Sequence, residues 1–177
     1  LAGVQKAMAL PPGLSVFVVS EKALERAETT NDRGYYFDFL EFEKNHQKNN
    51  TPSTPSISLL YALDSMVSSI MEEGLENRFR RHSETNAQVH KWVEESGFEL
   101  FAPDGFRSKT LTAVENNRGI DVPAFIKAVR ERHNLLINGG YGKIKGKTFR
   151  ISNMGNETLS TMDELLRALS EVLPEFT

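Results

Sequence analysis

The sequence predicts an α/β protein of the α+β kind, a mostly antiparallel sheet with helices on one face. The order of elements predicts it first: after the opening third, the chain reads helix, helix, β, β, α, β, β, α. Composition supports it, since 39% hydrophobic and 25% charged residues in 177 is a globular mix. No apolar stretch reaches the roughly 18 to 20 residues that cross a bilayer. The formal net charge of -3 gives no bulk signal for nucleic acid. Cysteine is absent, which removes disulfides, thiolate metal sites and cysteine nucleophiles together. The expectation is a cytoplasmic protein with neither a nucleic-acid nor a membrane partner.

The elements follow in order. Leu14 to Ser20 (LSVFVVS) is apolar and β-branched between Pro12-Gly13 and Glu21, which predicts a short buried strand. Glu21 to Glu28 predicts a helical turn or two, and Phe37 to Gln47 a short helix with an aromatic face. The prolines of "NNTPSTPS" forbid helix interior and central strand alike. Thr54 can then cap, and Pro55 open, a helix carrying Ile57, Leu60, Leu63, Val67, Ile70 and Met71 at helical spacing. Gly74 marks a break, and Leu75 to Ser96 predicts a second long helix closed by Gly97.

Past Gly97 the period changes. Strands are predicted at Phe98–Phe101, Lys109–Glu115, Asn134–Asn138 and Thr148–Ser152, with a helix over Val122–His133 opened by Asp121-Val122-Pro123. Thr161-Met162-Asp163-Glu164 has capping-box spacing for a last helix reaching about Leu173.

Several stretches invite a chemical reading. Gly146-Lys147-Thr148 looks like the tail of a phosphate-binding loop, but the required earlier glycine is Tyr141, and "TFRIS" alternates like a strand instead of opening a helix. His46, His82, His90 and His133 are scattered; His82 and His90 lie eight apart, too far for one metal, and read as surface histidines. No metal site is expected. The carboxylates of "MEEGLENRFRRHSE" read as a solvated face.

Two residues resist the bland interpretation. Lys6 lies between Val4 and Ala7-Met8-Ala9, just before a turn into an apolar run. It is either an ordinary exposed lysine or one whose amine is kept short of water and so serves as nucleophile or base. Arg150 lies between Phe149 and Ile151 in a predicted strand. It is either an edge-strand or ion-paired arginine, or a planar fork aimed at a carboxylate.

Taken together, "AGVQKAMALPPGLSVF", "TPSTPSISLLYAL" and "GKTFRISNMG" resemble, in the right order, three segments of the class V aminotransferases. These are pyridoxal-phosphate enzymes of fold type I, and the serine/alanine–glyoxylate or serine–pyruvate branch is the most similar, some members being labelled soluble hydrogenase small subunits. The resemblance implies a C-terminal half: residues 1–52 as the end of the large cofactor-binding domain, 53–96 as connecting helices, and 97–177 as the C-terminal small domain. It further implies that the chain is a fragment beginning near the cofactor lysine and inactive alone.

Carried over by residue, the resemblance makes Lys6 the lysine that condenses with the cofactor aldehyde and afterwards shuttles a proton. Gln5 would bond the cofactor phosphate, and Asn50, Thr51 and Thr54 would belong to a loop reaching the phosphate of a neighbouring subunit. Arg150 would bind the substrate carboxylate. The implied whole is a homodimeric transaminase exchanging an amino group between a small amino acid and a 2-oxo acid such as glyoxylate or pyruvate. The rival is a non-catalytic subunit or assembly module that keeps the fold; Gln5, Lys6 and Arg150 together argue against it.

Overall fold

The computed structural model describes residues 1–176 and divides into two compact units, Leu1–Ser68 and the chain from Ser69 onward. Each is described by itself. Among the described residues, no helix is long and apolar enough to cross a membrane.

The first unit opens on a small antiparallel ladder of β1 (Ala2–Gly3) and β2 (Ser15–Val16), with Ala2 opposite Val16 and Gly3 opposite Ser15. The strand expected over Leu14–Ser20 is therefore only two residues long, and it is not buried: Val18 is 96% exposed. A run that is apolar on both sides is enclosed only when neighbours cover both faces, and β1 alone pairs with it here.

Helix α1 (Glu21–Glu28) has the predicted bounds, with the Ser20 hydroxyl accepting from the Ala23 amide. Helix α2 (Phe39–His46) starts where the Asp38 carboxylate accepts from Leu40 N, and its Phe39 and Phe42 pack against Phe17. Helix α3 (Ile57–Glu73) begins later than predicted. Leu60 N donates to the carbonyl of Ser56, so Ser56 holds the cap position, and Thr54 and Pro55 precede the helix. No residue of α3 is buried; Ile57, Tyr61, Val67 and Met71 all stand in water.

The second unit has the predicted order. Gly74 turns the chain at φ 82° into α4 (Leu75–Glu95). Gly97 at φ 73° closes that helix: its N–H reaches Glu94 O while Phe98 N–H reaches Val93 O, the paired bonds of a Schellman ending. Four strands follow, β3 (Glu99–Leu100), β4 (Leu111–Glu115), β5 (Asn138–Gly139) and β6 (Thr148–Ser152), arranged β3-β4-β6-β5 and antiparallel throughout.

Helix α5 (Val122–His133) occupies the predicted range, capped by Asp121. It ends on Asn134 in the left-handed conformation, which is why the strand predicted to start there begins only at Asn138. Helix α6 (Leu159–Val172) starts two residues before the expected cap, Thr161. Thr158 is the cap, and Thr161 returns the bond to Thr158 N, a capping box closed by threonine instead of glutamate.

The core lies in this unit. Val89, Trp92 and Val93 of α4, Phe125 and Val129 of α5, and Leu166 and Leu169 of α6 close over Val114, Phe149 and Ile151 of the sheet. Phe149, wholly buried, meets Phe98 and Phe125 edge-on. Because side chains alternate along a strand, Arg150 faces away from that core.

Candidate functional site

Lys6 and Gln5 sit together in the connection between β1 and β2. The backbone there is held by Val4 N to Leu14 O, Leu10 N to Val4 O and Ala9 N to Lys6 O. The last of these makes Lys6 the first residue of a tight turn. Val4 is fully buried and anchors the turn, whereas Lys6 is exposed. The sequence placed Lys6 among apolar neighbours; within this chain they do not enclose it, because the turn throws its stem outward. Among the described residues, no ion pair or hydrogen bond engages its amine. Gln5 folds back over Gly3, where a Cβ would collide with Gln5 Oε1, so the glycine makes room for the amide.

Asn50, Thr51 and Thr54 lie in the loop from α2 to α3, all exposed. Asn50 N donates to Asn45 O, Thr51 Oγ1 donates to Ser53 O at 2.8 Å, and Tyr35 Oη donates to Pro52 O at 2.6 Å. The Thr54 hydroxyl is not spent on a helix cap, since Ser56 holds that position. Among the described residues, no hydrogen bond joins this loop to Lys6 or Gln5.

Arg150 belongs to the second unit. Its strand is central, with β4 on one side and β5 on the other, so the edge-strand reading is set aside. It pairs with Ala113 and Asn138, and its Nε donates to Gly139 O at 3.0 Å. The guanidinium carbon lies 4.8 Å from the centroid of the Tyr141 ring. No carboxylate pairs with Arg150 among the described residues, leaving its terminal nitrogens uncommitted. A half-buried, unpaired arginine on the open face of a rigid sheet is suited to hold a carboxylate.

Other residues behave differently from their sequence reading. Glu73 is not solvated: it accepts from Arg81 Nε at 2.7 Å and from Arg78 Nη1 at 2.9 Å. The bond from Arg81, reinforced by Arg78 against the opposing effect of burial, pulls its carboxyl down to about 2. Both arginines also donate to Gly155 O, tying the start of α4 to the turn before α6. His82 is buried, with Nδ1 2.8 Å from Arg78 O, and Asn153 Nδ2 donates to His82 O, Thr85 Oγ1 and Lys109 O. The half-buried His90 is pushed down by burial, then by Arg107 and Lys109. Among the described residues, no three His, Asp or Glu side chains group to hold a metal.

Sequence reasoning did not find Tyr141, Glu73 or His82 in these roles. Glu73 reaches its partners across the Gly74 break, at separations of five and eight, outside the three- and four-residue rule for helix pairs. His82 and Asn153 are 71 positions apart. Tyr141 registered only as a missing glycine.

No protein-family model matches the chain. It is 38% identical over 178 residues to an uncharacterized aminotransferase of Methanocaldococcus jannaschii, covering 97% of this chain and 46% of that protein. It is 35% identical over 162 residues to a serine–glyoxylate aminotransferase of Methylorubrum extorquens, covering 88% and 40%. The crystal structure of an alanine–glyoxylate aminotransferase from Nostoc sp. superposes with a TM-score of 0.89 at 30% identity, over 97% of this chain and 46% of that one. Proteins named as soluble hydrogenase subunits are also among the relatives. The chain spans under half the length of the curated relatives it matches.

Proposed function

With class V aminotransferases of the serine/alanine–glyoxylate type as its homologues and structural neighbours, which it matches as a C-terminal half, we propose that this chain supplies the amine and the carboxylate anchor of a transaminase. The substrates are a small amino acid, such as serine or alanine, and a 2-oxo acid, such as glyoxylate or pyruvate. The cofactor is pyridoxal 5′-phosphate, the working form a cytoplasmic homodimer. Residues 1–52 serve the cofactor, 53–96 connect, and 97–177 carry the substrate arginine.

The observation that supports this most is Arg150: a guanidinium held on the open face of a central strand, with no ion pair among the described residues to explain it. The donor set of the first unit suits a phosphorylated aldehyde. Lys6 offers an amine with no ion pair among the described residues. Gln5, Asn50, Thr51 and Thr54 are neutral donors, fitted to share a phosphate without adding charge. When bound, pyridoxal phosphate supplies an electron sink for the carbon that loses its proton.

The chain's own residues do the rest. Lys6 holds the cofactor and then moves the proton at the substrate α-carbon; both roles need the amine withdrawn from water, which this chain alone does not do. Arg150 grips the α-carboxylate and orients that carbon. Thr51 must exchange its bond to Ser53 O for a phosphate oxygen.

Borohydride reduction of the active protein in the presence of pyridoxal phosphate is expected to leave a pyridoxyl label on Lys6. Lys6→Ala should lose the label and at least about 10²-fold of the transamination rate between serine and glyoxylate. Arg150→Lys should raise the KM for the amino acid about 10-fold or more, because a point charge cannot replace the planar fork. Cofactor binding with no label on Lys6 overturns the transaminase reading and favours an assembly module that keeps the fold.

A further inference from the structure

We propose that Tyr141 is a positioning residue for Arg150, and that with the Gly139 carbonyl it leaves the guanidinium a single way to receive a carboxylate. The inference rests on the reading of Arg150 as the carboxylate anchor.

A guanidinium can bind a carboxylate through two nitrogens in two ways. One edge pairs Nε with a terminal nitrogen; the other pairs Nη1 with Nη2. In this protein Nε already donates to Gly139 O at 3.0 Å, which occupies the first edge. The guanidinium carbon lies over the Tyr141 ring, 4.8 Å from its centroid. What remains for a carboxylate is the end-on pair, Nη1 and Nη2.

The ring is placed by the strand that carries the arginine. Gly140 N donates to Thr148 O at 2.8 Å, Ile144 N to Tyr141 O at 3.4 Å, and Lys147 N to Ile144 O at 3.1 Å. A Cβ on Gly140 would collide with Thr148 Oγ1 and with the Ile144 carbonyl. Only glycine allows the loop to fold so tightly onto the first residue of β6, and that tightness sets Tyr141 beside Arg150. Tyr141 has no core role to account for it, since it is 72% exposed. A large aromatic side chain left in water against an unpaired cation is explained by the cation.

An arginine has more rotamer freedom to lose than most side chains, so an anchor held in place before the substrate arrives binds it more tightly. What this geometry receives is a carboxylate met end-on, in the guanidinium plane.

The test compares Tyr141→Leu, Tyr141→Phe and Arg150→Lys in two measurements. In the 177-residue chain labelled with ¹³C and ¹⁵N, the Arg150 δ-methylene protons should carry an upfield ring-current shift. Tyr141→Phe should keep the shift and Tyr141→Leu should lose it. In the active protein, Tyr141→Leu should raise the KM for serine about 3- to 10-fold with kcat within about two-fold, and Tyr141→Phe should restore it. An unchanged ring-current shift, or an unchanged KM, in Tyr141→Leu overturns the inference. If Arg150→Lys raises KM while Tyr141→Leu does not, the positioning role alone fails; if Arg150→Lys leaves KM unchanged, the anchor reading fails as well.

Discussion

The two units of this chain have similar apolar stretches and opposite fates for them. In the unit from Ser69 onward, Phe149, Ile151, Val93 and Leu169 are wholly shielded, and aromatic edges lock Phe149 between Phe98 and Phe125. In Leu1–Ser68, Val4 and Ala27 are the only buried apolar residues, while Val18, Phe37 and Tyr61 stand in water. One unit has a sheet with three helices closed over it. The other has a two-residue ladder and helices that bury almost nothing. Apolar content does not make a core; a layer on the far side of it does.

The contrast carries through to the residues assigned to chemistry. Arg150 is borne by a rigid central strand with a buried aromatic on its reverse, so its position is set to within the tolerance of a packed interior. Lys6 hangs from a turn held by three backbone bonds. The proposed anchor is built; the proposed amine is only presented.

The comparison breaks most sharply at Phe149. Phe149→Ala should lower stability by about 3 to 5 kcal/mol, followed in urea through the fluorescence of Trp92, the single tryptophan, which stacks on Phe98 in the same core. A loss under 1 kcal/mol would mean that the second unit is no better packed than the first.

Glu73 gives a smaller effect with a pH signature. Its folded value of about 2 lies below the ordinary value near 4.5, so its contribution is complete above about pH 4.5 and is lost as pH falls from there toward 2. Glu73→Gln should cost about 2 kcal/mol at pH 7, because the buried Arg78 loses its counter-charge, and should flatten the acid limb of stability against pH. An acid limb as steep as in wild type would reassign that limb to other carboxylates.

The smallest effect belongs to the first unit. Val18→Ser, at a side chain 96% exposed, should change stability by less than about 0.5 kcal/mol. Amides of β1 and β2 should exchange with solvent faster than those of β4 and β6 when followed by hydrogen exchange. Equal protection in the two ladders would erase the distinction drawn between the units.

Much of this was legible from the residues. The bounds of α1, α5 and β6 match the sequence reading, with Asp121 opening α5 and an alternation in β6 that put Phe149 and Ile151 on one side and Arg150 on the other. The glycine breaks at 74 and 97 were visible for the same reason, since positive φ is strained for any residue with a Cβ. The failure of the phosphate-loop reading held too, because Thr148 opens a strand. Where two threonines could cap, at 158 and 161, spacing alone chose the wrong one; the true cap depended on which hydroxyl the backbone turned toward the free amides.

What the residues determined unaided was the order of the main elements after the opening ladder, with Lys6 and Arg150 offered only as candidates whose roles came from the family resemblance. Only the folded chain decided burial and company: that Lys6 is exposed, that Glu73 is clamped by two arginines, that His82 is enclosed, and that Arg150 bonds the Gly139 carbonyl beside the Tyr141 ring. Hydrogen bonds along the backbone obey near neighbours, so they can be read in a line. Desolvation and charge pairing depend on whatever the rest of the chain brings alongside, and no local pattern records that.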